Sequence, residues 1–390
     1  MELDRAIAGG RLERRWPVRG SFAIAKAGVP EAVSSGRIPH LRLNGERARL
    51  DNLAHTLAGA ALGETGLKKK TGLGMATLVI AANLADIDAL GLLFGENLAW
   101  RRGWTHGPVA MLVLPPLLAG AMVLFDRWQA RRGTRPGGRL PLHVGWLLAL
   151  AYAGWASHPL LDFMNTYGIR LLMPFSERWF YGDTLFIIDV WLWTALAVGV
   201  WLSRRRRRRG SAQPGRPAFV SLCVAACYTT AMGVGSIAAE RLTREVAEAR
   251  GHGPIQTVVA SPVPFNPFRR DVVFGTDDAY GFGVLRWMPS PSLQLDPGLI
   301  AKNMDDPAIA EARQVKEIAD FLYWSRLPFA TVERAVDGTL VTIADARYSR
   351  GVTAGRFVRT LRLPPGVAPN QSQRAPDGPQ ADDQDRAERR

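Results

Sequence analysis

The sequence predicts a mainly α-helical membrane protein, in which a polytopic transmembrane bundle of five to six spans is followed by a small α+β domain outside the membrane. Three observations lead to this fold class. Residues 50–240 are rich in Leu, Ala, Gly, Val and Trp, and several stretches approach the about 20 apolar residues that cross a bilayer. Clusters of Arg and Lys border these stretches. Residues 241–363 are ordinary mixed sequence.

Five stretches have the length and composition of spans: Thr71–Gly95, Gly107–Phe125, Leu140–Asp162, Leu185–Leu202 and Ala218–Ala239. A sixth stretch, Leu53–Gly66, is shorter, and we expect it to span with tilt or to form a re-entrant or amphipathic helix. Residues 1–49 contain no apolar run of the signal-peptide type. We expect them to be a disordered extension or upstream sequence from a misassigned start codon.

The net charge of +14 is concentrated beside the predicted spans, at Lys68–Lys70, in residues 127–139 and at Arg204–Arg209. Cytoplasmic loops of membrane proteins carry this excess of Lys and Arg, so the three clusters are predicted to be cytoplasmic. Alternating spans then leave residues 240–390 extracytoplasmic. The sequence has no aromatic-and-basic stripe of the single-strand-binding type, so membrane lipid is the expected partner and nucleic acid is not.

The region after the spans is predicted to be α+β. The pattern indicates strands at Ile255–Ala260, Asp271–Phe274, Gly281–Trp287 and Thr339–Ala346, and a helix at Pro307–Leu322. Residues 364–390 are rich in Pro, Gln, Asp and Arg and are expected to be a disordered tail.

Ionisable residues lie in or beside the apolar stretches, where they are expensive and usually functional. His158 and Asp162 are the strongest local signal, because residues four apart share one helix face about 6 Å from each other and suit two ligands of one ion. The alternative is a buried ion pair that only fixes packing. Asp86, Asp88 and His106 are further candidates at the same side of the membrane, and His55 joins them if Leu53–Gly66 runs inward.

Asp86 and Asp88 point about 200° apart on a regular helix. Both face one site only if the helix ends or unwinds there; alternatively, one binds metal and the other orients a ligand. Arg102 is predicted to hold a phosphate or carboxylate bidentately. The alternative for the Arg102–His106 segment is a cluster at the membrane interface, with Trp104 among the headgroups.

Asp183 and Asp189 bracket Leu185–Ile188, and Asp189 starts an apolar stretch. Each is a candidate ligand, general base or helix N-terminal charge. Asn165 and its polar neighbours are candidates for orienting the substrate or the ligands.

These motifs together resemble the predicted membrane-bound metal-dependent hydrolases, a bacterial inner-membrane family that includes a LexA-regulated member. The resemblance rests on the following motifs: Asn52-Leu-Ala-His55, Asn83 with Asp86-Ile-Asp88, Arg102-Gly-Trp-Thr-His106, His158-Pro-Leu-Leu-Asp162, Asn165-Thr-Tyr-Gly168, Pro174-Phe-Ser176 and Asp189. It covers about residues 50–240. The resemblance implies a multi-span protein with a metal-dependent hydrolase activity. By motif match it also implies that the metal-site residues are His55, Asp86, Asp88, His106, His158 and Asp162. Members commonly begin near the first of these motifs, and residues 1–49 depart from that pattern.

The sequence therefore leads us to expect an inner-membrane hydrolase with a divalent metal, zinc for a site of His and carboxylate. A metal-activated water would attack an anionic phosphoester or lipid-linked substrate at the outer membrane face. Asp88 or Asp189 would be the general base, and Arg102 would hold the anionic group. The alternative is a non-enzymatic protein, either an ion or proton transporter or an assembly scaffold. The candidates gather at one face and the sequence shows no internal repeat, which favours the enzyme.

Overall fold

The computed structural model describes residues 44–94 and 101–365. Residues 1–43 and 366–390, which include most of the predicted extension and tail, lie outside this description. The helical part consists of α1 (Asn44–Glu64), α2 (Gly74–Ala81), α3 (Pro108–Arg131), α4 (Val144–Phe163), α5 (Val190–Arg208) and α6 (Arg216–Ala249). Two 3-10 segments occur, at Leu67–Lys69 and Leu84–Phe94. Helix α1 begins at Asn44, so the last residues of the predicted extension are helical.

The prediction of one continuous span at Thr71–Gly95 is wrong, because α2 ends at Ala81 and a 3-10 segment begins at Leu84. The backbone carbonyl of Ala82 binds the His158 ring at 2.7 Å. The amide of Asp86 donates instead to the Asn83 carbonyl, at 3.2 Å. A side chain from another helix therefore takes an acceptor that a longer α2 would need.

Two helices, α3 and α6, are long and apolar enough to cross a membrane. A bundle of five to six spans is therefore not confirmed. Helix α5 ends in a run of arginines, which leaves Val190–Leu202 as its apolar part. Helix α4 carries the polar side chains of His158 and Asp162 in its second half. These ionisable residues of the predicted site thus shorten the apolar part of the helix that carries them.

Helix α2 packs closely between α1 and α4 because glycines face it on both sides. A Cβ atom added to Gly59 in α1 would lie 2.8 Å from the Leu78 carbonyl oxygen, and one added to Gly154 in α4 would lie 2.7 Å from the same oxygen. Neither position has room for a larger residue. This close approach brings His55 on α1 and His158 on α4 together.

The region that follows α6, which we call the outer domain after its predicted location, contains two antiparallel sheets. The first has the order β1 (Thr257–Val263), β2 (Asn266–Gly275), β3 (Ala279–Arg286) and β4 (Ser292–Ala301), and the second has the order β5 (Pro328–Ala335), β6 (Gly338–Asp345) and β7 (Val358–Leu363). Between them lie α7 (Pro307–Ala312) and α8 (Lys316–Trp324). The prediction of helices and strands in this region is confirmed, although the predicted Pro307–Leu322 helix is divided in two. Strands β4, β5 and β7 were not predicted.

The outer domain is joined to the connection between α4 and α5 by buried and partly buried polar contacts. Arg347 donates to the Thr166 carbonyl at 2.6 Å, and Arg326 donates to the Asp183 carboxylate at 2.6 Å. Arg170 donates to the Tyr323 hydroxyl of α8 at 3.0 Å. The domain therefore covers the loops that follow the His158–Asp162 turn.

Asp345 at the end of β6 ties this domain together. Its carboxylate accepts hydrogen bonds from the Ser325 hydroxyl at 2.6 Å and from the Arg347 guanidinium at 2.8 Å. The Asp345 and Arg347 side chains are both 0% exposed. Burial alone would raise the pKa of the Asp345 carboxyl, but the Arg347 charge and these hydrogen bonds hold it below its usual range.

We predict that Asp345→Asn strongly destabilises the outer domain, by about 3–5 kcal/mol, because Arg347 would remain buried without its counter-charge. Since the native pKa of Asp345 is depressed, its contribution is complete above the unfolded value of about 3.9 and is lost as the pH falls through the native value. The wild-type thermal midpoint should therefore fall below about pH 4, and the variant should lose that part of the decline.

The measurement is the thermal unfolding midpoint of the purified protein in detergent across that pH range. Asp337→Asn is the control, because Asp337 pairs with Arg362 at the surface and both side chains are more than half exposed. Equal midpoints for the two variants at pH 7 would contradict the role assigned to Asp345.

Candidate metal centre

The predicted histidines and aspartates come together from four separate elements. His55 lies in α1, Asp86 and Asp88 in the 3-10 segment, His106 just before α3, and His158 with Asp162 in α4. The three imidazoles are 0–1% exposed. The predicted convergence of these side chains therefore occurs in the folded chain, in a site closed to bulk water.

Asp162 is the centre of the cluster. Its Oδ1 lies 2.9 Å from Nη2 of Arg102 and 3.6 Å from Nε2 of His55. Its Oδ2 lies 3.3 Å from Nε2 of His106 and 3.6 Å from Nε2 of His158. The residue is 1% exposed, so one buried carboxylate faces a guanidinium and three imidazoles.

Two groups of three residues have the spacing that a metal ion requires. One is His55, Asp86 and His158, and the other is His106, His158 and Asp162; within each group the potential ligand atoms lie within 4.8 Å of one another. Ligands about 2.0–2.2 Å from a tetrahedral ion lie about 3.4 Å apart. The 3.7 Å between His158 Nε2 and Asp86 Oδ1 is near that value. The side chains present therefore fit a divalent ion.

The imidazoles are oriented as metal-binding histidines usually are. His158 Nδ1 lies 2.7 Å from the Ala82 carbonyl, so this nitrogen carries a proton and Nε2 faces the cluster. His106 Nδ1 lies 2.9 Å from the Thr105 hydroxyl, and its Nε2 faces Asp162. The His55 ring stacks on His158, with 3.7 Å between centroids.

The two carboxylates of the Asp86–Asp88 motif point to different partners. Asp86 faces His158, whereas Asp88 Oδ2 lies 3.6 Å from Nδ1 of His106, on the side of the ring away from Asp162. Asp88 also accepts the Arg102 backbone amide at 2.7 Å. The arrangement favours the alternative in which Asp86 binds metal and Asp88 orients a ligand, because Asp88 belongs to neither group of potential ligands.

Arg102 is buried within the site. It is 2% exposed, and its Nη1 donates to the Asn165 side chain at 2.9 Å. Its backbone has a φ of 53°, an uncommon conformation for a residue with a side chain. Within this segment it is Trp104, 49% exposed, that shows the exposure expected of the interface alternative.

Asp183 and Asp189 lie outside the cluster. Asp189 caps α5, where it accepts the amides of Trp191 at 3.1 Å and Leu192 at 2.9 Å and the Tyr228 hydroxyl at 2.9 Å. Asp183 pairs with Arg326 of the outer domain. Asp189 therefore has the structural role of a helix-terminal carboxylate, and its use as a general base stays a prediction.

Arg170 is a positioning residue that was not predicted. Its amide donates to the Arg102 carbonyl at 2.8 Å, and its Nη2 donates to the Arg101 carbonyl at 3.1 Å. It is 2% exposed and lies over the Trp179 ring. The available signal was a single arginine within the apolar run that follows Gly168. Arg170 fixes the backbone that presents Arg102.

A segment of this chain is similar to a family of known proteins. Residues 50–239 match the family model described as YdjM inner membrane protein, and this segment contains every residue of the cluster. No curated protein and no solved structure matches the chain. The family match and the two long apolar helices together support a bacterial inner-membrane protein.

Proposed function

We propose that this protein is an integral inner-membrane hydrolase whose activity depends on a divalent metal, most simply zinc. The convergence of His55, His106 and His158 with Asp86 and Asp162 in one buried site carries the proposal. Imidazole and carboxylate together are the usual ligands of catalytic zinc. His158 belongs to both groups of potential ligands, so the cluster has ligands for one ion or for two neighbouring ions.

Charge supports a divalent ion at this position. Asp86, Asp88 and Asp162 contribute three negative charges, while Arg102 and the neighbouring Arg101 contribute two positive charges. Neutral imidazoles add none, so the cluster keeps a net negative charge that attracts a cation. Without a cation, the remaining negative charge would have to be met by protonated imidazoles, which are costly in a site this buried.

A simple buried ion pair between His158 and Asp162 explains the cluster less well. Nε2 of His158 and Oδ2 of Asp162 make no hydrogen bond among the described residues, whereas Oδ1 of Asp162 is paired with Arg102 at 2.9 Å. Buried polar atoms of this kind normally have a partner, so several of them aimed at one point call for an ion between them.

A bound metal would supply a water molecule of lowered pKa, which acts as the nucleophile near neutral pH. Asp88 orients His106 through Nδ1, and its Oδ1 has no hydrogen-bond partner among the described residues, so this atom is available to hold a proton. Asp189 is a weaker candidate for the general base, because three donors already occupy its carboxylate. Arg102 provides the positive charge for an anionic substrate group.

The depth of the site supports a phosphoester or lipid-linked substrate. His55 is nine residues from Glu64 at the basic end of the helices, which corresponds to about 14 Å. His158 is fourteen residues from the start of α4, or about 21 Å. Both distances lie within the about 30 Å of a bilayer core. With the Arg and Lys clusters in the cytoplasm, the cluster would face the outer leaflet and the outer domain would be extracytoplasmic.

We predict that the protein purified in detergent retains about one or two equivalents of metal. His158→Ala should abolish this binding because His158 belongs to both groups of potential ligands, and Asp162→Ala should remove at least the ion of the group to which Asp162 belongs. Elemental analysis of the purified variants gives the stoichiometry. His143→Ala is the matched control, since His143 precedes the opposite end of the same helix. Wild-type protein that holds no stoichiometric metal would end the proposal.

We predict that Asp88→Asn and Asp189→Asn differ in their effects on catalysis. Asp88→Asn should keep the metal and lower kcat about 10²–10⁴-fold, as expected when a proton-transferring group is lost. Asp189→Asn should mainly lower stability, by about 1 kcal/mol, because it weakens a helix cap. The assay is hydrolysis of soluble and lipid-linked phosphoesters with and without a chelator. A larger loss of kcat in Asp189→Asn would reverse the two assignments.

The alternative of a transporter predicts movement of metal ions or protons across the membrane. We expect no such flux in liposomes, because the described potential ligands lie in one cluster and no second cluster extends toward the basic end. Fluorescent indicators trapped inside the vesicles give the measurement, with Asp162→Ala as the negative control. Flux that depends on Asp162 would favour the transporter over the hydrolase.

A further inference from the structure

The hairpin turn between β1 and β2 exposes aromatic side chains. Phe265 is 67% exposed and Phe268 is 54% exposed. Trp191, at the start of α5, is 52% exposed and donates its indole N–H to the Phe265 carbonyl at 3.1 Å. Met288 is 58% exposed and follows Trp287, whose amide donates to Phe268 at 2.8 Å. We call these four residues, Trp191, Phe265, Phe268 and Met288, the rim patch.

The turn holds Phe265 in a conformation that other residues adopt more easily. Its φ is 67°, a region in which glycine or asparagine is usual and a bulky residue is rare. The ring is largely outside the protein, so packing within the chain does not account for it. A strained position that displays an apolar ring indicates a contact made outside the chain.

The direction in which β2 runs along α6 determines how far the rim patch lies from the basic end of the helices. Arg270, in the middle of β2, donates to the Met232 carbonyl at 2.9 Å and to the Ser236 hydroxyl at 3.2 Å. The end of β2 lies beside a later part of α6, because Gly275 accepts the Gln256 amide and the neighbouring Ile255 amide donates to Glu248 at 3.4 Å. The hairpin turn therefore points back along α6 toward its basic N-terminal end.

This direction brings the rim patch to the depth of the bilayer. Met232 is sixteen residues after Arg216, or about 24 Å from the basic end of α6. Trp191 is twelve residues before Ser203, whose hydroxyl binds the Ala218 amide at the basic end, so it lies about 18 Å from that end. A hydrocarbon core is about 30 Å thick. Both heights fall inside it.

We propose that the rim patch inserts into the membrane leaflet on the side of the outer domain, so that this domain rests on the bilayer. The contacts that carry the proposal are the Trp191–Phe265 hydrogen bond and the Arg270–Met232 hydrogen bond, which link the hairpin to two helices of the membrane part. Indole and phenyl rings are the side chains that membrane interfaces favour. The proposal does not depend on the hydrolase assignment.

Spin labels at the two ends of β2 test the insertion. In a background of Cys223→Ala and Cys227→Ala, one label replaces Phe265 through Phe265→Cys, and another replaces Asp277 at the far turn through Asp277→Cys. The full-length protein is reconstituted in phospholipid vesicles, and collisions of each label with oxygen and with a water-soluble nickel chelate are measured. Oxygen concentrates in lipid, whereas the chelate stays in water.

The label at position 265 should collide preferentially with oxygen, and the label at position 277 with the nickel chelate. Val336→Cys gives the reference for full exposure to water, since Val336 is 100% exposed on the other sheet. Phe268→Cys replaces Phe265→Cys if the latter does not fold. A label at position 265 or 268 as accessible to the chelate as one at position 336 would overturn the proposal.

Discussion

The buried carboxylate of Asp162 is the constraint on which the helical part depends. A carboxylate that is 1% exposed is stable only when opposite charge or hydrogen-bond donors surround it. Here those groups come from segments outside α4: His55 from α1, and Arg102 and His106 from the segment before α3. The positions of these segments are therefore set by two requirements. Apolar faces must be buried, and the Asp162 carboxylate must be surrounded by opposite charge and hydrogen-bond donors.

The same requirement explains the short α2. His158 can present Nε2 to Asp162 only if its Nδ1 is fixed, and the Ala82 carbonyl fixes it at 2.7 Å. That carbonyl lies where α2 ends, and the chain beyond it turns to bring Asp86 toward His158. Gly59 and Gly154 allow the three helices to approach closely enough for these contacts. Helix α2 is thus interrupted at the point where the chain must turn to bring the side chains of the site together.

The sequence was sufficient to predict the members of the cluster, because His and Asp are costly in apolar stretches and are rarely placed there without a function. It also predicted that Asp86 and Asp88 could share a site only at a helix break, and the break is present. The end of α2 was not predictable, since the partner of the Ala82 carbonyl is 76 residues away. Arg170 was missed for the same reason, since the backbone carbonyls that it binds, those of Arg101 and Arg102, are distant from it in the sequence. Asp189 could be interpreted equally as a catalytic residue or as a helix cap, since both roles place a carboxylate before an apolar helix.

Helix α6 couples the outer domain to the thickness of the membrane. It is one uninterrupted rod of 34 residues that begins beside the arginine run and ends under the first sheet of the outer domain. The sheet is fixed to this rod, whereas Asp162 is held by other helices. A thicker or thinner bilayer changes the tilt of a long helix at modest cost. Hydrophobic mismatch would therefore load the contacts that join the outer domain to the loop after Asp162, such as the hydrogen bond between Arg347 and Thr166.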